Sequence, residues 1–242
     1  MMDVLLLALT VAPGLAIALF IYLKDKFNRE PFMQLVLAFF AGFVSVVMTM
    51  GLSYMVSMIP GFGSMNTFDN LLRYAYISIA LVEEFSKFIV VILLFYHKPF
   101  FDEPFDGITY AVMISMGFAT LENVMYVFGM SDNGYRTALM RMLTAIPAHA
   151  SFAVVMGYFI GLARFKGELE PFYLFIGLFG ATLLHGTYDF LLLYDNGPYL
   201  AIGAIGSLVT SVVLSFKAIR IHQHNSPFNP RFLRPEENLP GV

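Results

Sequence analysis

The sequence predicts an all-α, polytopic transmembrane bundle of about seven helices. Three observations predict it. Hydrophobic residues make up 58% of the 242-residue chain and charged residues only 13%, about half the share found in a soluble domain. Mean hydropathy is +0.73. Seven apolar stretches are long enough to cross a bilayer, which takes roughly 20 residues per helix, and only short connectors separate them.

The stretches, in order, are Val4–Leu23, Phe32–Ile59, Tyr74–Tyr96, Phe105–Phe128, Ala138–Ala163, Phe172–Tyr194 and Tyr199–Phe216. The first resembles a signal peptide only superficially. No basic residue precedes Val4, and its apolar run exceeds the roughly 7–15 residues of a signal h-region, so it reads as a retained helix. The connectors carry turn residues: Pro60-Gly61, Lys98-Pro99, Asn133-Gly134, Glu170-Pro171 and Asn196-Gly197-Pro198. No internal repeat and no soluble domain is visible. The reading is one transmembrane domain over residues 1–221 and a loosely ordered cytoplasmic tail over 222–242.

Lysine and arginine set the orientation. Lys24, Lys26, Arg29, Lys98, Arg164, Lys166, Lys217, Arg220, Arg231 and Arg234 fall on one side if the helices alternate. The other side keeps Arg73 and Arg136, with Arg141 about a turn into the fifth helix and expected to snorkel. The N-terminus is therefore expected outside and the C-terminus in the cytoplasm of a multi-pass cell-membrane protein. A net charge of −3 offers no basic surface for nucleic acid. The absence of cysteine removes disulfides, thiolate nucleophiles and Cys-ligated metal centres.

Ionisable residues inside the spans are the exception that calls for explanation. A charge at a helix centre costs about 2.5–3.5 kcal/mol on insertion scales. The third stretch carries Glu83, Glu84 and Lys87, the fourth Glu122 with Asn123, the fifth His149, and the sixth His185 with Asp189. At 1.5 Å per residue, Glu83, Glu122, His149 and His185 lie about 10–17 Å below the outer ends of their helices. One shared cavity, reached from the extracytoplasmic side, is expected. Glu83 and Lys87 are spaced i,i+4 and can pair, while Glu84 points about 100° away. His185 and Asp189 have the same i,i+4 spacing, so the carboxylate can fix the imidazole tautomer. A carboxylate tuned by burial can take a proton from water, and a histidine can serve an oxyanion or leaving amine. Ser86 has no motif that would make it a nucleophile.

Taken together, Glu83-Glu84-x-x-Lys87, then Phe118-x-x-x-Glu122-Asn123, then a histidine in each of two later helices, resembles the PrsW family of intramembrane proteases. The loop Lys24-Asp25-Lys26-Phe27-Asn28-Arg29-Glu30-Pro31 resembles the Asp…Glu-Pro stretch of that family. The resemblance runs to about Asp189. It implies a glutamic-type membrane endopeptidase, related to the CAAX-processing and bacteriocin-immunity membrane proteases. It also implies site-1 cleavage of a single-pass substrate such as an anti-sigma factor, starting regulated intramembrane proteolysis. By motif it makes Glu83, Glu84, Glu122, His149 and His185 catalytic, supported by Lys87, Asn123 and Asp189, with no metal or other cofactor.

Other readings stay open on the residues. Two histidines and three glutamates can bind zinc, giving a zinc-dependent membrane hydrolase, although no His-Glu-x-x-His is present. A proton-coupled transporter would use buried Glu and His as a relay, without the repeats common in such proteins. A bis-histidine haem site leaves the glutamates unexplained. The plainest alternative is structural: an ion-pair network, interhelical hydrogen bonds worth about 0.6 kcal/mol each, and a His149 satisfied by a carbonyl freed near Pro147.

Overall fold

The computed structural model describes residues 3–194 and 198–232, with the side chains of 198–201 left aside. Among these residues there are seven helical rods and no strand: α1 (Val4–Lys24), α2 (Phe32–Ser57), α3 (68–96), α4 (Pro104–Met130), α5 (Gly134–Phe165), α6 (Glu170–Leu193) and α7 (Pro198–His224). Six are long and apolar enough to cross a membrane. The remaining one, α3, has the length but carries Glu83, Glu84 and Lys87 in its middle. The protein is a multi-pass membrane protein, as its sequence predicted.

α4 is the axis of the bundle. Its residues from Phe105 to Thr120 are buried without a break, which is why its apolar residues run all round the helix rather than along one stripe. Small residues let its neighbours approach backbone to backbone. A Cβ on Gly117 would strike the Phe39 carbonyl of α2, and one on Gly157 or Gly161 of α5 would strike the backbone at Gly107 or Pro104. The Gly157-x-x-x-Gly161 pair thus serves packing. In α2, Val46 is buried against the bundle while Val47 and Met50 face outward as lipid-facing positions do.

Local departures from regular α geometry shape the rest. Residues Tyr74–Leu81, Ile92–Tyr96 and Tyr126–Met130 form wider π turns, which often accompany functional sites. Between the first two, Val82–Val91 returns to α geometry, so Glu83, Glu84 and Lys87 keep true i,i+3 and i,i+4 spacing. α5 was expected as one helix over Ala138–Ala163. It breaks at Thr144, where φ is −122° and ψ −69°. Pro147 explains the break: its ring clashes with the carbonyl four residues back, at Leu143.

The two ends of the bundle are distinct. At one end, Asn28 of the α1–α2 connector donates to Asp102 at 2.8 Å, Tyr96 donates to Glu170 at 2.9 Å, and Gln223 at the end of α7 donates to the Lys24 carbonyl. At the other, Tyr135 donates to Asp3. The tail expected to be loose from His222 starts later. α7 continues to His224, His222 is buried with Nε2 2.9 Å from the Tyr158 carbonyl, and Ser226 and Asn229 are buried beyond it. Residues 233–242 lie outside the described residues. Four acids are also buried at this end, Asp25, Glu30, Glu103 and Asp106. Burial pushes the Asp25 carboxyl up to about 6 and those of Glu30 and Glu103 up to about 7.

Candidate active site

The eight residues singled out from the sequence converge on one locus, in the half of the bundle away from the Lys24 and Gln223 end. Lys87 is its hub. Its ammonium lies 2.8 Å from Glu84 Oε1, 3.5 Å from Glu83 Oε2 and 3.2 Å from His149 Nδ1, and 4.1 Å above the Phe118 ring. The contact between the ammonium and Nδ1 makes that nitrogen the acceptor, so His149 carries its proton on Nε2. From there it donates to Glu122 Oε2 at 3.0 Å. The histidine is therefore held by two charged side chains, not by a carbonyl loosened near Pro147.

His185 is held from both sides. Nδ1 is 2.9 Å from Glu84 Oε1 and Nε2 is 3.2 Å from Asp189 Oδ2. Phe152 stacks on its ring at 5.0 Å between centroids. The i,i+4 partnership with Asp189 read from the sequence is present. The two glutamates divide in a way that spacing left open. Glu84, with 1% of its surface exposed, is tied to Lys87 and His185. Glu83 opens onto a cavity of about 330 Å³, whose wall also includes Glu122, Arg141, His149, His185 and Asp189. Glu83 lines a second cavity too, about 380 Å³, between α2 and α3.

Arg141 corrects the expectation of a snorkelling side chain. Its guanidinium donates to Glu122 Oε2 and to Asn123 Oδ1 and stacks over Tyr126 at 4.2 Å. The break at Thr144 frees the upper part of α5 to bring it there. The signal was in the sequence: an arginine one turn inside a span, six residues before a proline. Asn123 uses both ends of its amide, accepting from Arg141 and donating to the Thr10 carbonyl of α1 at 3.3 Å. It therefore positions Arg141 and does not line the cavity.

One donor atom from each of Glu83, Glu84, His149 and His185 lies within 4.8 Å of the others. Ser86, by contrast, spends its hydroxyl on the Val82 carbonyl at 2.8 Å. These features define a class: a polytopic membrane protein with an acid–imidazole centre buried between its helices and open to a polar cavity. Residues 30–217 match the family described as "PrsW family intramembrane metalloprotease". The chain is 37% identical over 188 residues to Protease PrsW of Geobacillus kaustophilus, covering 78% of this chain and 80% of that one. It is 34% identical over 183 residues to Protease PrsW of Bacillus subtilis, covering 75% and 80%, and 33% identical over 198 residues to that of Clostridioides difficile, covering 80% and 81%. No solved structure matches the chain. The chain belongs to the PrsW family and is a membrane-embedded protease.

Proposed function

We propose that the protein hydrolyses a peptide bond of a single-pass membrane protein, in water admitted to the cavity from the outer side of the membrane. The observation that carries this reading is the convergence of Glu83, Glu84, His149 and His185 beside a cavity that Glu83 itself lines. Because Glu83 also faces the second cavity, an extended segment lying across both would bring a bond to its carboxylate. An outer-side site follows from the lysine and arginine distribution. Resemblance to the family makes an anti-sigma factor the first substrate to try.

Glu83 is the base in this scheme. It takes a proton from the attacking water and returns it to the leaving amine. Lys87 keeps Glu84 in place, and Glu84 with Asp189 fixes the His185 ring. In the metal-free form His149 and His185 would serve the developing oxyanion, each giving up one carboxylate partner to do so. Arg141 holds Glu122, and through it His149, in register.

Of the two hydrolytic chemistries kept open by the sequence, the donor set favours the metal-assisted one. Two imidazoles and two carboxylates suit zinc, and Glu84 Oε2 is buried without a partner. His149, His185 and Glu84 would then hold the ion, the histidines no longer serving the oxyanion, leaving Glu83 as the base. Bound there, zinc would polarise the scissile carbonyl and acidify a water. The matching family's description, a metalloprotease family, points the same way.

The test is incubation of purified protein with single-pass candidates, mapping cuts by mass spectrometry. Cleavage by the wild type and a loss of about 10²–10⁴-fold in Glu83→Ala/Glu84→Ala are expected. Cleavage should also stop on chelation and return with zinc. Full activity in the folded double variant refutes the site, and indifference to chelation restores the metal-free glutamic reading.

A further inference from the structure

A second buried set of acids lies at the other end of α4, and the protease chemistry does not use it. Asp25 ends α1, Glu30 closes the α1–α2 connector, and Glu103 and Asp106 begin α4. Their exposures are 1%, 4%, 1% and 0%. Among the described residues, no lysine, arginine or histidine forms an ion pair with any of the four.

Local structure accounts for one oxygen of most of them. Asp106 Oδ2 accepts from the backbone N–H groups of Asp102 and Glu103, each at 2.8 Å, in the manner of a helix-capping acid. Asp25 Oδ2 accepts from the Glu30 N–H at 3.3 Å, and Tyr110 donates its hydroxyl to Glu30. Capping explains no more than this. Asp25 Oδ1, Glu103 Oε2 and Asp106 Oδ1 are buried with no hydrogen-bond partner, and a buried carboxylate oxygen left bare is unfavourable.

We propose that Asp25, Glu103 and Asp106, with Glu30 beside them, bind a hard divalent cation, magnesium or calcium. One carboxylate oxygen from each of the first three lies within 4.8 Å of the others. Oxygens placed about 2.4 Å from one calcium ion can be no more than about 4.8 Å apart, so the spacing suits a shared ion. The donors are all oxygen, with neither imidazole nor sulfur, which selects magnesium or calcium over zinc. The ion would tie the end of α1 to the start of α4. α4 would then be pinned at the end opposite Glu122.

The experiment is thermal unfolding of the full-length protein in detergent, stripped with chelator. Millimolar MgCl2 or CaCl2 is added against NaCl of equal ionic strength. At a hundredfold excess over Kd the midpoint should rise by about 5–10 °C. The rise should persist in Glu83→Gln, which alters only the other centre, and vanish in Asp25→Asn/Glu103→Gln. No rise with either salt, or no heat of binding by calorimetry on the wild type, overturns the proposal whether or not the variant folds. An undiminished rise in the variant overturns it as well.

Discussion

The two ends of α4 solve the same problem in opposite ways. Around Glu122, buried carboxylates are met by cations carried on the chain: Lys87 against Glu83 and Glu84, and Arg141 against Glu122, with His149 and His185 between them. Around Asp106, four buried carboxylates form no ion pair among the described residues. The first arrangement is balanced internally and still opens a carboxylate, Glu83, to a cavity. The second is closed to the surroundings and electrostatically incomplete. Burial of acids alone therefore does not mark catalysis. What distinguishes the candidate active site is the presence of partners that position a cavity-facing carboxylate.

Breaking this contrast at its strongest point means removing the cavity-lining Glu83, proposed above as the base, and its neighbour. Glu83→Ala/Glu84→Ala should lower cleavage about 10²–10⁴-fold, the range for loss of a general base, in a protein that still inserts. Cleavage of a single-pass substrate in proteoliposomes reads this out.

Stability sharpens the contrast next. Lys87→Met strands two buried glutamates and should cost about 3–5 kcal/mol, as loss of one partner of a buried pair does. In chelator, Glu103→Gln should be neutral or stabilising, because no chain cation loses a partner. Unfolding of both variants in the same detergent checks the opposite signs. Equal losses would erase the distinction between the two ends.

Arg141→Lys comes third. The lysine keeps the charge but cannot reach Glu122 and Asn123 together. A misplaced His149 should lower kcat by about 10²-fold, while a merely structural arginine would leave it unchanged. Asp189→Asn is the mildest, with a loss of about 10-fold through a less well oriented His185. Its pH–rate profile should shift with the loss, since the ring gives up a carboxylate partner.

Most of the architecture was legible without coordinates. Hydropathy is local and additive along the chain, so span number and approximate bounds followed from runs such as Val4–Leu23. The depth of Glu83, Glu122, His149 and His185 followed from helix rise alone. Rotation about each helix axis was not legible. It assigned Glu84 to Lys87 and Glu83 to the cavity, a choice that i,i+3 and i,i+4 spacing leaves open. Arg141 was missed because the break at Thr144, traceable to Pro147, redirects it inward. Asp25 belonged to a motif with no chemistry assigned to it and Glu103 looked like an ordinary loop acid, because nothing in a connector's sequence says which loops fold over one another.

The sequence by itself determined that this chain lives in the membrane, that it spends charge where charge is expensive, and at what depth. Which acids face water and which face cations was decided only by tertiary packing. Backbone approach at Gly107, Gly117, Gly157 and Gly161, and the wide turn before Val82, fix how the rods are rotated and spaced. Those are contacts between distant segments, and no local pattern along one chain encodes them.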